Sequence, residues 1–120
     1  MGTTLVIDAA NVVGARADGW WNDRAGAAGR LHDSLLHADL PHDEVVLVLE
    51  GQAKKGVRAG RSAGFRVVHA ARDGDSEIVR QVASAQKAGH RVTVVTADRA
   101  LAANVAPAMV LSPSWLLDQL

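Results

Sequence analysis

Apolar positions along this chain follow two different rhythms. Short, unbroken runs rich in β-branched residues recur at Thr4–Ile7, Val45–Leu49, Arg66–His69 and Arg91–Thr96, with a weaker one at Met109–Leu111. None alternates apolar with polar, which is the pattern of strands covered on both faces in a parallel sheet. Between them the spacing becomes helical. Asp23–Ala38 places Ala27, Ala28, Leu31, Leu35 and Ala38 on one face. Ser76–Ala88 does the same with Ile78, Val79, Val82 and Ala85, and stops at Gly89, a natural helix terminator. Shorter helices are expected over Asp98–Val105 and over Pro113–Leu120, the second with Ser112 as its cap. Gly51–Gly64 is too rich in glycine for a confident helix. Strands alternating with helices predict one α/β domain over residues 1–120, a three-layer α/β/α sandwich. Its parallel sheet should hold about five strands, in the order 3-2-1-4-5 when numbered along the chain.

Acids sit where these strands end. Asp8 follows the first, Glu50 the second and Asp98 the fourth, while Asp75 stands in "RDGDSE" after the third. Open parallel sheets bind ligands outside the carboxyl ends of their strands. In the expected order, Glu50, Asp8 and Asp98 occupy neighbouring strands, ~4.8 Å apart. Carboxylates that close repel unless a cation joins them. Oxygen donors without histidine or cysteine suit Mg²⁺ or Mn²⁺, which can activate water for attack at phosphorus. Each acid also has a plainer reading. Asp75 and Asp98 are well placed as helix caps, and Glu50 can simply begin a loop. Asp8 has no helix expected behind it, so capping does not explain it. Glu77 reads as a helix-surface residue.

Composition narrows the function class. Of 120 residues, 48% are hydrophobic and 22% charged, a globular balance. The chain has no cysteine, so disulfides and thiolate metal sites are excluded. No apolar run is long enough for a membrane span, and the start lacks the basic region of a secretory signal, so a cytoplasmic protein is expected. Thirteen basic residues balance thirteen acidic ones, which argues against coating nucleic acid by bulk charge. Local charge remains: Lys54, Lys55, Arg58, Arg61 and Arg66 follow one another with no acid among them, a segment suited to guiding a phosphate backbone towards Glu50. The five histidines show no ligand spacing and read as surface or edge residues. Trp20 and Trp21 either stack bases or anchor their loop, and Trp115 reads as a core or dimer contact, which leaves a homodimer open.

Taken in order, "VIDAANVVG", "VLVLEG", "DGDSEIV" and "VVTADRAL" resemble the successive motifs of the NYN group of PIN-like nucleases, over nearly the whole chain. The resemblance implies a PIN-like sandwich and metal-dependent cleavage of RNA, single-stranded in the simplest case. It implies Asp8, Asp75 and Asp98 as metal ligands, Asn11 as the supporting amide, and Glu50 at a position where the family commonly carries aspartate. Ser76 stands where a second acid or an alanine would follow Asp75. Arg99 would reach a phosphate or pair with an acid.

Two other classes compete. One is a catalytically weak RNA-binding or adaptor module of the same fold. The other, a phosphatase of the haloacid dehalogenase type, needs a second aspartate two residues after Asp8, where Ala10 stands. Dinucleotide and P-loop binding fail for want of their glycine motifs.

Overall fold

The computed structural model describes residues 2–120. Its elements run β1 (Thr3–Asp8), α1 (Ala9–Gly14), α2 (Arg24–His37), β2 (Glu44–Leu49), a 3₁₀ helix (Gly51–Gly56), β3 (Gly60–Ser62), β4 (Phe65–His69), α3 (Gly74–Lys87), β5 (Arg91–Val95), α4 (Arg99–Asn104), β6 (Met109–Leu111) and α5 (Pro113–Leu117). The sheet order is β3-β4-β2-β1-β5-β6. Every pairing is parallel except that of β3 with β4. The five strands expected from the sequence therefore lie in the expected order, and the sixth is an addition at one edge.

Unbroken apolar strands are explained by what covers them. Successive side chains point to opposite faces, and both faces are dry. Leu5, Ile7, Leu47 and Leu49 pack with Ala28, Leu31, Leu35 and Leu116, beneath α1, α2 and α5. Val6, Val46, Val48 and Val94 pack with Ile78, Val82, Leu101 and Val105, beneath α3 and α4. Each such side chain contributes ~1.5–3 kcal/mol on leaving water, so two full cores hold the sheet rigid. Trp115 is partly buried against the first core, which makes it a core contact.

Two expectations need correction. A short helix, α1, does start directly behind Asp8, and Asp8 is its N-cap. The glycine-rich segment also holds an unexpected strand: after a short 3₁₀ helix comes β3, hairpinned antiparallel onto β4. Gly64 closes that hairpin at φ +73°, a conformation that side-chain-bearing residues rarely adopt. Helix ends also shift. The cap of α3 is Asp73, so the helix begins two residues before Ser76, and α5 ends at Leu117.

This connectivity opens a crevice. From β1 the chain leaves through α1 and α2 on one face of the sheet, whereas α3 and α4, which lead into and out of β5, cover the other. The neighbours β1 and β5 thus flank the point where the winding reverses, the place where open α/β sheets bind ligands. No described helix is long and apolar enough to cross a membrane.

Candidate active site

Asp8 lies at the centre of this crevice, at the end of the middle strand. It is 4% exposed, so its charge needs partners. Its Oδ2 accepts from Asn11 Nδ2 at 2.6 Å and from Thr96 Oγ1 at 2.8 Å. Its Oδ1 has only the long capping bond from Asn11 N, at 3.5 Å. Thr96, on the adjoining end of β5, spends its one hydroxyl proton on Asp8 and accepts from Asp98 N at 3.1 Å. A single threonine thereby fixes Asp8 and Asp98 relative to each other. Asp98 Oδ1 caps α4 through Leu101 N at 3.0 Å, which leaves its second oxygen without a bond of this kind. Burial pushes the Asp8 carboxyl above its ordinary value, and the Glu50 charge adds to this, against the lowering by Thr96 and Asn11.

Asp75 arrives from the other side, and it is not a cap. That task falls to Asp73, whose carboxylate takes Ser76 N at 2.7 Å and Ser76 Oγ at 3.1 Å. These bonds hold Asp73 below its ordinary range, so it stays ionised. Asp75, two residues on, behaves oppositely. Its residue is exposed, but its carboxyl end turns towards the other acids and is pushed up to about 6. Lost hydration is the first cause, followed by the charges of Asp98 and Asp8, a hydrogen bond shared with Asp98, and the charge of Glu50. Glu50 fixes the start of this helix, its Oε2 taking Gly74 N at 2.5 Å. A Cβ on Gly74 would come within 3.1 Å of that carboxylate, which accounts for glycine in "DGD".

Acids from four strand ends therefore meet in one field, as their placement in the sequence suggested. Among the described residues no three His, Asp or Glu side chains stand arranged to hold an ion. The chemistry of the set still suits a hard divalent cation. All donors are oxygens, Asp8 Oδ1 is only weakly engaged, and a cation would relieve the crowding of negative charge that helps raise Asp75.

The basic residues divide. Lys54 Nζ donates to the Ala70 carbonyl at 3.0 Å, which engages one of its three N–H groups. Arg66 faces Glu44 and Gln81, away from the acids. Lys55, Arg58 and Arg61 are exposed along the β3 edge. Arg61 pairs with Arg66, four residues short of Ala70, so it sits roughly 13 Å below the strand tops. Arg99 is exposed beside Asp98 and has no ion pair among the described residues. Glu77 is neither a surface residue nor a member of the cluster: it is 5% exposed and bound by Arg80 and Gln81. The histidines also stay out, but only His37 is fully at the surface; His90 bonds Thr4 and His69 bonds the Val57 carbonyl.

Sequence reasoning passed over two features. Thr96 was visible only as the first residue of "TADR", and Asp73 only as the outer member of "DGD". Beside Glu50 there is also a groove of about 460 Å³ with Trp20 in its wall, and no short motif announces it.

No protein-family model and no curated protein matches the chain. Among solved structures it is similar to a single-substitution variant of Rae1 (YacP) from Bacillus subtilis, with a TM-score of 0.72 at 16% identity, over 97% of this chain and 73% of that one. At such identity the likeness shows the fold alone, a three-layer α/β/α sandwich around a mostly parallel sheet.

Proposed function

We propose that the chain is a Mg²⁺- or Mn²⁺-dependent endoribonuclease that hydrolyses phosphodiester bonds in RNA, in the cytoplasm, as its motifs' resemblance to the NYN group implies. The observation that carries this reading is Asp75. It is spared from capping by Asp73, and its proton affinity is raised first by lost hydration and then by the charges of Asp98, Asp8 and Glu50. A helix needs no second acid for its own stability there, and a fold gains nothing from collecting like charges.

The roles follow from the contacts. Asp8, Asp75 and Asp98 would hold the metal, whose Lewis acidity activates water and offsets charge on the phosphate when bound. Asn11 and Thr96 hold Asp8 in orientation, and Thr96 sets its distance from Asp98. Glu50 anchors the first turn of α3 and so positions Asp75. Arg99 is free to meet a phosphate oxygen. A binding module without cleavage is the second reading, since the described acids are not gathered into a ligand set.

The deciding experiment incubates the protein with a labelled single-stranded RNA library in Mn²⁺ and in EDTA. Cleavage in Mn²⁺ alone is the expected result. Retained RNA binding with no cleavage in either condition would establish the second reading.

The exposed edge gives a separate expectation. Replacing Lys55, Arg58 and Arg61 together by alanine should flatten the salt dependence of RNA affinity by up to ~2–3 in log–log slope, since each phosphate contact contributes roughly 0.7–0.9. An unaltered slope in the triple variant removes this edge from the binding surface.

A further inference from the structure

The groove beside Glu50 is built differently from the acidic crevice. Ala9, Val13 and Trp20 supply an apolar wall, while Gln52, Arg24 and Arg72 supply polar groups. Its 460 Å³ lies within the ~300–1,000 Å³ typical of small-molecule sites. Glu50 lines it and also acts on Asp8 and Asp75. Whatever fills the groove therefore lies next to the reacting centre.

Trp20 stands at the border between this groove and the core. It is only partly buried, against the core under α2. The Arg24 guanidinium stands 5.0 Å over its ring, and Trp21 meets it edge-on at 6.0 Å and 88°. Gly14 lies at its rim, with Cζ2 4.0 Å from where a Cβ would be. The ring is fixed before any ligand arrives, so little side-chain freedom is lost on binding. Planar, uncharged rings are the ligands that stack on both indole and guanidinium faces. Arg24 and Arg72 offset the two acids of the lining, Glu50 and Asp73, and can meet a backbone phosphate, while the Gln52 amide can donate to and accept from a ring edge.

The geometry points to an unpaired nucleobase as the occupant of this groove, held against Trp20 and Arg24 beside the phosphate at the acidic crevice. The location relative to a cleaved bond rests on the nuclease reading; the binding itself does not. A paired base has both faces covered by its neighbours in the helix and its edge engaged by its partner, so it cannot enter. The groove thus selects single-stranded or looped RNA.

The test uses the full chain in EDTA, where binding is separate from cleavage. A single-stranded oligoribonucleotide of about eight residues is titrated while tryptophan fluorescence is followed, alongside the same strand annealed to its complement. Quenching by the single strand and about ten-fold or weaker binding of the duplex are expected. Trp20→Ala should weaken binding about ten- to hundred-fold, the range for one base–aromatic stack, and abolish most of the quench. Trp21→Phe, which keeps an aromatic ring beside Trp20 and lies outside the groove lining, should bind as the wild type does. Should Trp20→Ala fail to fold, Trp20→Phe and an oligonucleotide of abasic residues take its place. Equal affinity for the abasic and normal strands, for duplex and single strand, or for folded Trp20→Ala and wild type overturns the inference. Mn²⁺-dependent cleavage that survives any of these results leaves the nuclease reading intact, and Trp20-dependent binding without cleavage leaves the groove intact.

Discussion

Asp8→Asn is expected to lose Mn²⁺-dependent RNA cleavage by more than ~100-fold, while in EDTA it unfolds at the same urea concentration as wild type or a higher one. The activity estimate is a lower bound, because even residues that only orient metal ligands cost ~10–100-fold when removed. The stability half comes from the bonds. Both strong bonds to Asp8 fall on one oxygen, Oδ2, and an amide oxygen at that position would keep Asn11 Nδ2 and Thr96 Oγ1. The amide nitrogen would replace Oδ1, which has only the 3.5 Å contact from Asn11 N. Against that small loss stands the removal of a buried charge, whose carboxyl is pushed upward by desolvation and by Glu50. Were Asp8 instead a structural acceptor that needs both of its oxygens, the variant would lose ~1–3 kcal/mol. Urea melts in EDTA, paired with cleavage rates in Mn²⁺, read both quantities. Destabilisation in that range with cleavage retained would falsify the assignment.

What could be read from the sequence was set by the scale of each feature. Strands buried on both faces leave unbroken apolar runs, and their order follows from the winding rules, so β2, β1 and β5 were placeable side by side with their terminal acids. The short helix α1 escaped because six residues are too few for a periodic signal, and "AANVVG" reads as a continuation of the strand. The strand β3 escaped because its three residues are all exposed and carry no apolar alternation. In "DGDS" two aspartates compete for one cap. Only the backbone path shows that the outer one, Asp73, wins it, and that Asp75 is thereby left to the site. Glu77 was misplaced through its type, since glutamates are seldom buried; Arg80 and Gln81, one helical turn on, supply the partners that permit it. The groove was hidden for a deeper reason. It joins Ala9, Trp20, Gln52 and Arg72, which lie far apart in sequence and meet only when three loops gather over the sheet.

Millimolar Mn²⁺ should raise the melting temperature of the wild type by several degrees, and Asp75→Asn should lose most of that gain. A ligand at 100 times its dissociation constant stabilises the fold by ~2.7 kcal/mol, and a domain of this size gains roughly 4 °C per kcal/mol. The metal-free protein carries the complementary signature. Asp75 is raised in the fold from 3.8 to about 6, so its protonated form favours the folded state. That contribution is complete below pH 3.8 and is lost as pH rises through about 6. In EDTA, Asp75→Asn should therefore melt above wild type at pH 7.5, with the gap closing by pH 4.5. Because Asp75 is exposed and its repulsions are screened, the gap should be on the order of 1 kcal/mol, or about 4 °C. Other groups titrate in the same interval or just below it. Burial lowers His42, which withdraws stability as pH falls below 6.5, and Asp43 and Asp73 withdraw theirs below 3.8. All three are common to both proteins and cancel in the difference. A gap that stays constant between pH 4.5 and 7.5 would show that Asp75 does not feel the other acids. Equal melting in Mn²⁺ and in EDTA would show that no cation joins them.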